Sequence, residues 1–259
     1  MRRALVATVV RKEVREFRRN RFVIVTMAVL PFVFLITPML TIFRIPDSAS
    51  GTAVRAAVGT ISLLLLIVPI VLPPVIAAYS VIGERDQGTL EPVLTTPVTA
   101  SELLLGKATA AFIPSVGIAY AMYLVVLVSV RLGAARVVTD VVWHAPQVLA
   151  QLLFTPLLAL WAIWVGIGIS TRASDVRVAQ QLATLASLPL LGFTSLLSFQ
   201  AIKPSVPLAI GLAVALLVAD TAAFRVVSRL FDSERLVTGR ATRSEDQAEA
   251  AQTLSASTT

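Results

Sequence analysis

The residues of this chain that could do chemistry crowd into one short stretch. It reads Gly83-Glu84-Arg85-Asp86-Gln87-Gly88-Thr89-Leu90-Glu91, then Thr96-Pro97-Val98-Thr99, then Glu102-Leu103-Leu104-Leu105-Gly106-Lys107. Glu84, Asp86 and Glu91 are acids at one place, but they lack the paired D-x-x-D spacing that a membrane-embedded head-group transferase needs. A phosphate-cradling loop requires G-x-x-x-x-G-K-[ST], so that backbone amides hold the phosphates while Lys and a hydroxyl complete the site. Here Gly106-Lys107 is followed by Ala108 and has no upstream Gly at the right distance. There is no G-x-S-x-G elbow, no H-E-x-x-H and no Cys. The single His144 reads as a loop or interface residue, since it has no second His for a cluster or relay. The chain therefore carries no nucleotide site, metal site or hydrolase machinery of its own.

The surroundings of the stretch explain its charge. Of 259 residues 56% are hydrophobic and 14% charged, and the mean hydropathy is +0.84. A water-soluble core cannot absorb so much apolar surface. Six apolar runs, about 22–43, 58–82, 108–130, 147–170, 177–199 and 206–227, are each long enough for the ~30 Å hydrocarbon layer. The expected fold is all-α: a polytopic membrane protein whose six transmembrane helices follow an interfacial amphipathic helix. The expected organisation is 1–21 (interfacial helix), 22–227 (six-span domain with an insert at 83–105) and 228–259 (a tail drifting into Ala, Ser, Thr, Gln and acids, read as partly disordered).

The net charge of +7 follows topology rather than nucleic acid. Eight cations precede the first run with no stacking aromatics between them. Placing both termini, the insert and the fourth loop in the cytoplasm puts 17 Lys and Arg inside and 5 outside, as the positive-inside rule requires. Ser48-Ala49-Ser50 could pass for a signal-peptide cleavage site, but the run from Phe22 to Phe43 is too long for an h-region.

Residues 3–20 have helical periodicity. Arg11, Lys12, Arg15, Arg18 and Arg19 fall on one arc, with Leu5, Val6, Val9, Val10, Val14 and Phe17 opposite. Glu13 and Glu16 project onto the apolar side, so either the helix lies shallow or these acids face a protein partner. Eight prolines lie within the spans, and Pro69, Pro73 and Pro74 leave nearby carbonyls of the second without donors, predicting kinks there. Gly117 with Ala121, and Gly211 with Ala215 and Ala219, have the spacing of close helix approach. Asp220 is the one acid well inside a span; it is a possible intramembrane polar site, or else a residue near the cytoplasmic interface.

In the insert, Thr89 can cap a short helix from Leu90 to Leu94 with Glu91 near its positive end. Pro97 ends it, and Thr99-x-x-Glu102 has the spacing of a capping box opening the third span. By itself this is a well-capped loop. The E-R-x-x-G-T-L-E block after the second span, the Pro and the L-L-L-G-K entry into the third resemble the membrane subunit of an ATP-binding cassette (ABC) transporter of the type 2 permease family.

That resemblance implies an exporter permease in the plasma membrane, the inner membrane of a bacterium. It implies a short cytoplasmic coupling helix between spans two and three, with Glu84, Arg85, Gly88, Thr89, Leu90 and Glu91 as contacts to a separate ABC ATPase. Two ATPase copies would hold the ATP and Mg, and the permease would form a homodimer or a heterodimer with a second permease. An ion-coupled secondary transporter is the competing class, with only Asp220 to serve it. A regulator on the same scaffold is another possibility, and nothing in the residues names a cargo.

Overall fold

The computed structural model describes residues 3–86, 99–173, 175–199 and 205–230. Among these, eight helices form one bundle. They are α1 (Arg3–Phe17), α2 (Arg21–Arg44), α3 (Gly51–Asp86), α4 (Ala100–Gly133), α5 (Arg136–Val142), α6 (Ala145–Ser170), α7 (Val176–Ser198) and α8 (Val206–Leu230).

The helix boundaries have local causes. Asn20 opens α2 by accepting the Val23 N–H on its side chain at 3.2 Å, satisfying one of the donors a helix start leaves bare. At α4 the expected capping box is present: Thr99 Oγ1 accepts from Glu102 N at 3.3 Å and Thr99 N donates to Glu102 Oε2 at 3.2 Å. The 36 residues of α3 and 34 of α4 outrun the expected spans at both ends. At about 1.5 Å per residue α3 is some 54 Å long, so it projects beyond the hydrocarbon layer. The loop expected between the third and fourth spans contains α5, a seven-residue helix too short for a periodicity argument.

α3 is the hub, in contact with α2, α4, α5, α6 and α7. In its most apolar window 72% of residues are buried, against 17% for α2 and 22% for α8, which lie at the periphery with large side chains such as Phe32 and Val218 outward. Water cannot drive apolar helices together inside a bilayer, so packing depends on close approach. Gly166 of α6 shows this: a Cβ there would lie 3.0 Å from Pro74 Cα, so α6 rests directly on the Pro73-Pro74 step of α3. Gly117 and Gly211 meet nothing within 4 Å, so the close approaches within this chain are not the ones their spacing suggested.

Among the described residues five helices, α2, α3, α4, α6 and α8, are long and apolar enough to cross a membrane. The fifth expected span, 177–199, is the helix α7, which carries more polar residues and is not among these five. It buries Ala179, Ala183, Ser187, Thr194 and Ser198 and turns Leu182, Leu185, Leu188 and Leu196 outward. Small residues inside and large ones outside suit a helix seated against α3 with lipid or protein behind it. The tail expected from 228 begins inside α8, and residues 231–259 lie outside the described residues.

Candidate functional site

Glu13 resolves the charge pattern of α1. It is fully buried, and its partner is within the same chain. Lys107 Nζ of α4 donates to Glu13 Oε1 at 2.7 Å, to Ser80 O of α3 at 3.0 Å and to Ser80 Oγ at 2.9 Å. Ser80 Oγ donates to Glu13 Oε2 at 2.6 Å. Both carboxylate oxygens and the ammonium are thus engaged, which is what keeps a desolvated ion pair tolerable. Glu16 stays at the surface, 3.5 Å from Lys12 one turn away.

A glycine makes the contact possible. A Cβ on Gly106 would lie 2.5 Å from Val9 Cγ1, so α1 can approach α4 closely enough for Glu13 to reach Lys107 only if that position is bare. The Gly106-Lys107 pair, which cannot hold a phosphate, therefore has a mechanical use: glycine admits α1 and lysine fastens it.

The cluster sits beside the insert. Ser80 is six residues before Asp86, the end of α3, and Lys107 is seven after Ala100, the start of α4. Displacements of about 9–11 Å along each helix separate it from the chain that links them. Of the residues expected to contact an ATPase, Glu84 and Arg85 belong to the last turn of α3. Gly88, Thr89, Leu90 and Glu91, with the expected short helix, lie outside the described residues.

Sequence reasoning did not find Lys107. A signal existed: an acid on the apolar arc of α1 needs a cation, and Lys107 is the one Lys or Arg between Arg85 and Arg131.

Asp220 takes no part in this cluster. It is buried on the inner face of α8, and neither carboxylate oxygen has a hydrogen-bond partner among the described residues. One turn before it, Leu216 shares a cluster with Leu158 of α6; one turn after, Phe224 meets Trp164 with ring centroids 5.1 Å apart. The side chain is thus enclosed by α6 and α8, an enclosure compatible with either depth expected for it. At another point between α3, α6, α7 and α8 a cavity of about 30 Å³ is walled by Ser62, Gln147, Gln151, Thr194 and Ser198, with Gln147 Nε2 donating to Ser62 Oγ at 2.7 Å. That is room for about two waters, not for a cargo.

The family model for ABC-2 type transporters matches residues 4–210. The match takes in Glu13, Ser80, Lys107 and the whole insert, and ends ten residues short of Asp220. No curated protein matches the chain. A bundle of apolar helices with a charged insert between its second and third long members, matched over most of its length, places this chain in the ABC-2 type transporter family, as a multi-pass membrane permease.

Proposed function

We propose that the chain is the permease half of an exporter, crossing the plasma membrane six times with both termini in the cytoplasm. Two such chains, or this one and a second permease, enclose the path. Two ABC ATPase subunits dock on the insert through Glu84, Arg85, Gly88, Thr89, Leu90 and Glu91, and the ATP and Mg belong to them. The observation that supports this reading is the buried Glu13–Ser80–Lys107 cluster. It ties three helices together beside the insert, so a push on the insert would move α1, α3 and α4 as one body rather than bend a loop. Interiors transmit displacement because they are packed without slack.

The ion-coupled alternative would rest on Asp220, and that residue is outside the family match. The test is biochemical. Purified alone, the chain should hydrolyse no ATP; co-expressed with an ABC ATPase from a neighbouring reading frame, it should co-purify with it in detergent. Nucleotide turnover by the chain alone, or consistent failure to retain the ATPase, would overturn the proposal.

A further inference from the structure

At the elbow between α1 and α2 the bundle leaves a groove of about 420 Å³. Its walls are Val14 and Phe17 of α1, Met27 of α2, and Ile113 and Pro114 of α4, and Arg18 stands in its lining. The walls are almost wholly apolar, and the volume falls within the ordinary range of ligand sites. Val14 and Ile113 are exposed, so the groove opens outward rather than closing into the core.

The charges around it are unbalanced. Arg15, Arg18, Arg19 and Arg21 are exposed and form no ion pair among the described residues. The two nearby acids are already committed, Glu13 to Lys107 and Glu16 to Lys12. Only Arg18–Asn20 separate α1 from α2, so the groove lies where the first span leaves the bilayer. An apolar slot opening outward from the first span, with the Arg18 guanidinium in its lining and three more cations nearby in sequence, matches a molecule that has an anionic head and a hydrocarbon tail.

We propose that this groove binds one anionic phospholipid of the adjoining leaflet, with an acyl chain along Met27 and Ile113 and the phosphate on Arg18. The site needs only that the chain spans a bilayer. It is independent of ATPase docking, so either idea can fail without the other.

The full chain is reconstituted in phosphatidylcholine vesicles containing a trace of photoreactive-acyl phosphatidylglycerol or, separately, the equivalent phosphatidylcholine. Labelling of peptides carrying Met27 or Ile113 should favour phosphatidylglycerol by about fivefold per engaged cation. Excess phosphatidylglycerol should compete and excess phosphatidylcholine should not. Arg18→Gln should reduce the preference, and Ile113→Trp should block labelling in the groove while leaving that on the outer face of α8 unchanged. Equal labelling by the two lipids, or labelling indifferent to Ile113→Trp, would reduce the groove to ordinary bilayer contact and overturn the proposal. Copy-to-copy crosslinking from a Cys placed at Ile113 would overturn it too, because a second chain would then fill the slot.

Discussion

Lys107 and Glu13, 94 positions apart in the chain, meet at 2.7 Å with neither side chain exposed to any degree. Breaking such a pair from one side leaves an uncompensated charge, at a cost of about 3–5 kcal/mol, while replacing both partners with neutral groups is often close to neutral. Glu13→Gln and Lys107→Met alone should each lower the melting temperature of the detergent-purified protein, and the double variant should recover most of the loss. Additive losses in the double variant would mean that the two charges do not depend on each other.

The approach that permits this pair can be tested through Gly106. Gly106→Ala places a methyl against Val9 and should destabilise by about 1–3 kcal/mol, as overpacking does. Val9→Ala added to it should restore the melting temperature. Gly117→Ala, where nothing lies within 4 Å, should change little.

Asp220→Asn keeps the shape of a side chain that has no hydrogen-bond partner among the described residues, and removes its charge. On the intramembrane reading a charge there costs about 2.5–3.5 kcal/mol on insertion scales, so membrane levels and melting temperature should hold or rise. A fall in either would reveal a partner for the carboxylate, such as a second subunit.

The orientation can be read from single cysteines, since the chain contains none of its own. Positions 84–96 should be labelled from the cytoplasmic side and positions 131–146 from the other. An externally labelled residue in the insert would end the six-span arrangement.

Docking itself is tested by Glu91→Lys. At the helix start expected from the sequence, losing such a charge is worth about 0.3–1 kcal/mol, too little to unfold the bundle. Losing a buried contact to a partner costs about 2–5 kcal/mol. The variant should therefore reach the membrane at normal levels yet fail to co-purify with the ATPase, while Glu245→Lys in the tail does neither harm. Normal co-purification would leave the insert as a capped loop and nothing more.

What the sequence revealed depended on how far apart the cooperating residues are. The Thr99–Glu102 box joins groups three positions apart, and it stands as expected. The long apolar runs likewise report their own helices. The acid on the apolar arc of α1 signals that a cation is needed, but nothing local in either segment says that Lys107 supplies it. Gly117 and Gly106 look alike as small residues on helices, yet only Gly106 has a helix against it. Which of two equivalent glycines is used is decided by the arrangement of the bundle. α7 lies between these cases: its helix was expected, but its mixture of small polar residues reflects a seat against α3 that hydropathy alone does not describe.

The distance between Glu13 and Lys107 also sets an order of events during synthesis. Ribosomes add about 5–20 residues per second, so the carboxylate exists for some 5–20 s before its lysine has been made. In that interval Glu13 does not yet have Lys107 to bury against, so an acid that is costly to desolvate alone must keep its hydration. Only when α4 arrives can α1 fold down onto it. α1, translated well before α4, is therefore among the last parts of this half of the protein to reach its final place, and a nascent chain halted before Ala100 should still expose α1 to protease.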